Sequence, residues 1–163
     1  GTTKTFISGC AKLTNAAFIV GFANGISIVL ANGNILNTIV YWLSIPMGKM
    51  GAVMGANFMF IANLFINLFI PSGSGQAAAV MPLMVPVADL AGITRQVAVQ
   101  AFQFGDGFSN CLFPTAGTLM GALAVAKTDW ARYAKWMLPL LGCQIVLSIV
   151  SLTILQSIGW TGL

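Results

Sequence analysis

The amino-acid sequence predicts an all-α protein that crosses a membrane several times. Of its 163 residues, 58% are hydrophobic and only 6% are charged, whereas a soluble domain carries about 25% charged residues. The mean hydropathy is +0.91. So few charged side chains cannot cover the surface of a water-soluble domain of this length, and we therefore expect lipid to cover most of it.

The residue types that are scarce exclude several classes of function. The three cysteines form no CxxC pair and histidine is absent, so we expect neither a disulfide framework nor a zinc site, and the cysteines are predicted to pack as apolar side chains. The missing histidine, P-loop and GxSxG motif argue against an enzyme. The net charge of +4 comes without a basic stripe and interleaved aromatic residues, which argues against nucleic-acid binding.

Hydropathy and turn residues divide the first part of the chain into three membrane segments. Residues 13–30 carry no charge and are long enough to cross about 30 Å of hydrocarbon. Residues 34–45 place apolar side chains at near-helical spacing beside two aromatic residues, which favours a helix along the membrane interface. Residues 51–91 are two apolar arms around a Pro-Ser-Gly turn. The second arm is short for a full crossing, which favours a re-entrant hairpin over two crossings.

The second part of the chain predicts a broken span and a last span. Residues 95–127 are too long for one uninterrupted span, and Gly105–Asn110 followed by Pro114–Gly117 predict an interruption at mid-depth. Irregular backbone at that depth is tolerated only inside protein or beside a water-filled cavity. Residues 133–158 are the last span, with tryptophans near its ends.

The basic residues predict which side of the membrane each segment end faces. With these segments, the two sides carry unequal positive charge, and the positive-inside rule places the more basic side in the cytoplasm and opens the hairpin toward the outside. The basic side holds Lys4, Lys12, Lys127, Arg132 and Lys135, and the other side holds Lys49 and Arg95.

The hairpin turn is the first candidate binding site. Hydroxyl groups, exposed backbone and the start of a helix meet there, and the free N–H groups of a helix N-terminus suit a carboxylate or another anion. A plain loop between two spans is the alternative interpretation. The predicted solute-binding residues are Ser72, Gly73, Ser74, Gly75 and Gln76.

The interruption in the broken span is the second candidate site. Asp106 is the only acidic residue placed in the middle of a span. A charge at that depth is costly, so a functional role is the hypothesis for this residue. Backbone carbonyls at a helix break can also coordinate Na⁺ or take part in proton relay. An Asp that caps the second half-helix is the alternative, and both roles can hold. The predicted residues are Gly105, Asp106 and Gly107 for a coupling ion, Na⁺ or H⁺, and Ser109, Asn110 and Thr115 for the solute or the ion.

Two asparagines on the first arm of the hairpin are a weaker signal. Asn63 and Asn67 are separated by four residues and would therefore share one face of a helix. Polar side chains in spans commonly bond neighbouring helices. We therefore favour hydrogen bonds between helices over contact with a solute.

The segment IPSGSGQAAAVMPLMVPVADLAGITRQVAVQAFQFGDGFSNCLFPTAGTLMGAL resembles the C-terminal region of the C4-dicarboxylate anaerobic carrier family. It is most similar to the branch labelled as basic amino-acid antiporters. The preceding GFANGISIVLANGNILNTIVYWLS is similar to that family's stretch before the hairpin, so the resemblance covers about residues 10–160. The pair SGSGQAAAVMP and QFGDGFSN with its following PT is specific to this resemblance.

The resemblance implies a place in the ion transporter superfamily. Members of that superfamily have two inverted repeats, each with a re-entrant hairpin, a discontinuous helix and an interfacial helix, and related members are homodimers that work by an elevator motion. This chain would then be the second repeat, and the first repeat would lie N-terminal to it. The tips Ser72–Gln76 and Gly105–Asn110 would line one half of the solute and ion site.

Taken with the resemblance, the residues predict secondary active transport, by symport or antiport, of a small carboxylate or amino acid across a bacterial inner membrane. Neither tip carries Arg or Lys for a dicarboxylate, so helix ends and hydroxyls would bind one, whereas a cationic amino acid could pair with Asp106. The alternative is a channel or a membrane subunit without transport of its own. A channel would show polar residues along one helix face, but here they cluster at two breaks, which favours alternating access.

Overall fold

A computed structural model of the chain describes residues 2–47 and 49–162, and for part of residues 12–44 it describes the backbone only. In this described part the chain is all-α, without a strand, as the sequence predicts. The helices are α1 (Thr2–Asn32), α2 (Ile35–Met47), α3 (Ala52–Asn67), α4 (Gly73–Leu90), α5 (Arg95–Ser109), α6 (Gly117–Ala126) and α7 (Trp130–Ser157).

The core is built around α3, which packs against α5 and α7. Helix α5 runs parallel to α3, because Ile93 at its start approaches Gly55 and Ser109 at its end lies 2.7 Å from the Asn67 side chain. Helix α7 runs antiparallel to both. Its last turns meet the start of α5, and the Trp130 indole N–H at its first residue donates to the carbonyl after α5, that of Leu112 (2.9 Å). The buried core side chains include Met59, Phe60, Ile66, Val80, Met84, Val97 and Leu152.

Helices α3 and α4 form the hairpin, and side chains join its two arms. The Gln76 side-chain N–H donates to the carbonyl of Asn63 at 3.0 Å and to its side-chain oxygen at 3.2 Å. The Asn63 amide in turn lies 3.2 Å from the sulfur of Met84. Ser72 caps α4 by accepting from the Gly75 N–H, so the helix begins at Gly73, within the Pro-Ser-Gly turn that separates the two predicted arms. The tip of the hairpin is therefore the first turn of a helix.

The interruption of the broken span is confirmed, but it covers only the later part of the predicted stretch. Helix α5 continues through Gly105, Asp106 and Gly107, and the non-helical segment runs from Asn110 to Ala116. Asp106 does not cap α6, whose N-cap is Ala116, without a side-chain hydrogen bond. The prediction was wrong in these details because a glycine is equally expected where a helix breaks and where two helices pack closely.

Close packing explains Gly105. A Cβ atom at this position would lie 2.7 Å from the Cβ atom of Asn63 and 2.9 Å from both the Leu64 nitrogen and the Phe60 oxygen. The glycine thus lets the α5 backbone rest directly on the α3 backbone. The break itself contains Pro114, which lacks a backbone N–H and disfavours helical backbone at the residue before it.

Among the described residues, α7 is the one helix long and apolar enough to cross a membrane, while α3 and α6 are apolar but shorter. Most apolar side chains of α7 beyond Trp136 are exposed, as expected where lipid or a further protein segment covers them. The predicted span 13–30 lies within α1 and the predicted interfacial segment 34–45 overlaps α2, but part of both lies outside the described residues. Their positions in the membrane, and that of the hairpin 51–91, stay predictions.

Candidate functional site

The two predicted binding clusters lie against each other. Gly73 in the first turn of α4 faces the carboxylate of Asp106 in α5, and a Cβ atom built on Gly73 would lie 2.8 Å from Asp106 Oδ2. Hairpin tip and broken helix therefore meet at one carboxylate. The close approach requires a residue without a side chain at position 73.

Asp106 is 7% exposed and has no cationic partner in the described part of the chain. Its Oδ1 accepts a hydrogen bond from the Asn110 side-chain N–H at 3.2 Å, and Oδ2 lies beside Gly73. A carboxylate that is mostly removed from solvent is costly unless a cation or a proton neutralises it. This site can therefore take up a positive charge.

Asn67 at the end of α3 holds the Asp106 region in place. Its side-chain N–H group donates to the Asp106 carbonyl (3.2 Å), the Ser109 hydroxyl (2.7 Å) and the Asn110 side-chain oxygen (3.0 Å). The Ser109 hydroxyl donates to the carbonyl of Gly105. Ser109 thus acts as a structural link between α3 and α5, although the sequence predicts contact with the solute or the ion.

Three oxygen atoms around the hairpin and the interruption are buried and have no hydrogen-bond partner among the described residues: Asn67 Oδ1, Gln76 Oε1 and Thr115 Oγ1. Asn67 and Gln76 are both completely buried. A buried acceptor without a partner costs about 1–3 kcal/mol, so these oxygens can gain from a bound cation or a solute N–H group. The described residues include no cluster of three or more His, Cys, Asp or Glu that could hold a metal ion. One carboxylate with neutral oxygens suits a monovalent cation or a proton better than a multivalent metal.

The remaining predicted residues lie at the edge of this group. Ser72, Ser74 and Gly75 are exposed on the first turn of α4. Gly107 is half-buried, and a Cβ atom there would meet nothing within 4 Å. The central residue that the sequence analysis did not assign to the site is Asn67. Its four-residue spacing from Asn63 was the available signal, and both side chains do bond neighbouring helices.

The hairpin packed against an interrupted helix can be compared with known proteins. The family profile described as "C4-dicarboxylate anaerobic carrier" matches residues 1–157. The chain belongs to the C4-dicarboxylate anaerobic carrier family. The description of this family is that of a carrier rather than an enzyme.

Two relatives extend this comparison. The chain is 38% identical over 162 residues to the "Putative basic amino acid antiporter YfcC" of Escherichia coli, covering 96% of this chain and 32% of that protein. It is 32% identical over 158 residues to an "Uncharacterized protein" of Haemophilus influenzae, covering 95% of this chain and 30% of that protein. The chain thus spans about a third of the length of these relatives. No solved structure matches it.

Gly73→Ala is expected to separate the hairpin tip from α5. The added methyl group would lie 2.8 Å from Asp106 Oδ2, closer than real Cβ contacts, so tip or carboxylate must move. We expect at least a tenfold loss of solute uptake by the full-length protein, because displacements of about 1 Å in a binding site cost up to a hundredfold. Gly121→Ala in α6 is the matched control, since a Cβ atom there would meet nothing within 4 Å and this glycine is not a predicted site residue. Equal uptake by the two variants in proteoliposomes would contradict the close contact.

Proposed function

We propose that this chain supplies one half of the solute and coupling-ion site of a secondary active transporter in the bacterial inner membrane. The observation that carries the proposal is the contact between Gly73 at the hairpin tip and the carboxylate of Asp106, which forms no ion pair with the described residues. Two polar elements from different segments converge there within an otherwise apolar chain. Polar groups at interrupted helices inside a membrane protein are typical of transport sites.

A coupling ion is supported by the charge and the oxygen atoms of this region. Asp106 offers a negative charge, and the buried oxygens of Asn67 and Gln76 offer acceptors without a partner. Na⁺ would bind such oxygens directly, whereas H⁺ would neutralise the carboxylate. In both cases the bound ion would neutralise the charge of Asp106. An ion gradient could therefore control whether the solute encounters a charged carboxylate.

The contact between the first turn of α4 and the Asp106 carboxylate suits an amino acid better than a dicarboxylate. The first turn of α4 presents backbone N–H groups and a partial positive charge, which suit a carboxylate. Asp106 faces this turn and would attract an ammonium group or a basic side chain. A dicarboxylate would bring a second negative charge toward Asp106 with no Lys or Arg in the predicted site to offset it. The Escherichia coli relative is named "Putative basic amino acid antiporter YfcC", and this name supports the same class of solute.

The larger assembly is proposed on the resemblance. The chain would be the second of two inverted repeats, with a partner repeat that completes the site and an identical subunit that completes a homodimer. An elevator motion would then carry the hairpin and the broken helix across the membrane. Small solutes and lipid would be its other partners.

Uptake into proteoliposomes tests the proposal and distinguishes it from a channel. We expect the purified full-length protein to accumulate labelled arginine or ornithine above the outside concentration when a Na⁺ or H⁺ gradient is imposed, or when a counter-solute is loaded inside. Accumulation of a dicarboxylate instead would support secondary transport but contradict an amino acid as the solute. Flux that only equalises the concentrations, under every gradient and counter-solute, would indicate a channel and contradict the proposal.

A further inference from the structure

A basic cavity lies at the turn between α6 and α7, outside the candidate transport site. Its volume is about 650 Å³, within the range of 300–1,000 Å³ that is common for small-molecule sites. The cations that line it form no ion pair with the described residues. The ion pair in the described part of the chain joins Arg95 and Asp89, which do not line the cavity. The lining residues are Lys127, Thr128, Asp129, Arg132, Tyr133 and Trp136.

The position of the cavity along α7 places it at the depth of lipid headgroups. This helix has 28 residues and is about 42 Å long at 1.5 Å per residue, compared with about 30 Å of hydrocarbon. Residues 136–157 carry no charge and span about 33 Å, which is enough to fill the hydrocarbon. The first turns of α7, with Arg132 and Lys135, therefore extend into the interfacial region. The exposed indole of Trp136 marks the boundary, as interfacial tryptophans commonly do.

The backbone of Lys127 adds an independent observation. This residue ends α6 in the left-handed conformation, with φ of 54°. Glycine is the usual residue at this position because it adopts positive φ without strain. A lysine also interacts favourably with a helix C-terminus, and here it lines the cavity together with a second cation, Arg132.

The walls of the cavity are held by hydrogen bonds to the interrupted helix. The Tyr133 hydroxyl donates to the Cys111 carbonyl at 3.0 Å, and the neighbouring Trp130 indole donates to the Leu112 carbonyl at 2.9 Å. Asp129 is the acidic lining residue, and its carboxylate accepts from the Ala131 N–H at 3.1 Å to cap α7. With Lys127, Arg132 and the adjacent Lys135 against this one acid, the local charge is positive.

We propose that this cavity binds the phosphate headgroup of an anionic phospholipid in the cytoplasmic leaflet. The cations would contact the phosphate, while Tyr133 and Trp136 would pack against the glycerol region and the upper acyl chains. Basic pockets beside membrane helices on the cytoplasmic side are suited to such headgroups. The cytoplasmic side is the one that the positive-inside rule predicts for this turn from the distribution of Lys and Arg along the chain.

Lipid titration of the full-length protein in detergent, followed by native mass spectrometry, tests the site. The probes are phosphatidylglycerol, phosphatidylcholine and inorganic phosphate. We expect Lys127→Gly and Arg132→Gln each to weaken phosphatidylglycerol binding about fivefold, and about 25-fold together, since each cation near an anionic surface contributes about one such factor. Lys127→Arg should retain binding, and Lys4→Gln, an exposed cation that does not line the cavity, should leave it unchanged.

The variants distinguish binding from folding. Lys127→Gly removes the charge but suits the positive φ better than lysine does, so thermal stability in phosphatidylcholine should be retained. Equal phosphatidylglycerol affinity in wild type and in the double variant would overturn the proposal. Displacement of the lipid by millimolar inorganic phosphate would show a site for a soluble anion and would overturn its assignment to lipid.

Discussion

Asp106→Asn is expected to abolish ion-coupled transport while the protein still inserts into the membrane and folds. The substitution keeps the size of the side chain and can still accept the hydrogen bond from Asn110, but it removes the negative charge that faces the hairpin tip. Losing a charged partner in a buried site costs about 1.5–3 kcal/mol. Affinity for the ion or the cationic group of the solute should therefore fall by about ten- to a hundredfold.

Proteoliposome uptake with and without an ion gradient measures this effect. Asp89→Asn is the matched control, because it removes the same charge from an exposed pair with Arg95 at the far end of α4. Exposed pairs of this kind contribute little to stability, so its uptake should stay within about twofold of wild type. Uptake and ion dependence of Asp106→Asn that equal those of Asp89→Asn would contradict the role of Asp106.

Gly105→Ala is expected to cause the largest loss of stability in the chain. The new methyl group would overlap the Cβ atom of Asn63 and would meet backbone atoms of Phe60 and Leu64 at 2.9 Å. A flexible side chain could turn away, but the α3 backbone cannot, so the two helices must separate. Overpacking of a close contact costs about 1–3 kcal/mol, and more where backbone is involved.

Gly107→Ala provides the comparison within the same helix. A Cβ atom at Gly107 has nothing within 4 Å, and alanine is favoured over glycine in a helix interior by about 0.5–1 kcal/mol. Thermal unfolding of the purified full-length variants should therefore place Gly105→Ala well below wild type and Gly107→Ala at or above it. If the two variants unfold at the same temperature, α5 does not rest on α3 at this glycine.

The helical class and the two polar clusters could be predicted from local sequence features, whereas only the resemblance implied that the clusters meet. Low charge and high hydropathy indicate a membrane protein, and the prolines and glycines around Ser72 and Pro114 indicate where helices end. A lone aspartate in an apolar span indicates a functional position. Each of these features is determined by a few neighbouring residues, so it can be recognised without knowledge of the fold.

The features that the sequence analysis missed depend on contacts between distant segments. The sequence around Gly105 is typical of a helix break, but this glycine allows α5 to pack on α3. Only the close approach of Asn63 in α3 distinguishes the two roles. Asn67 is central because Ser109 and Asn110 lie opposite it, more than forty positions later in the chain. Local propensity cannot supply such long-range partners.

Ligand-dependent thermal stabilisation of the full-length protein tests the central claim most directly. Wild type, Asp106→Asn and Asp89→Asn would be compared with basic amino acids and dicarboxylates, each with and without Na⁺ and at two pH values. A ligand at a hundredfold excess over its dissociation constant stabilises by about 2.7 kcal/mol. We predict that a basic amino acid stabilises wild type and Asp89→Asn but not Asp106→Asn. Equal stabilisation of all three proteins would show that the binding site does not include the contact between the hairpin tip and Asp106.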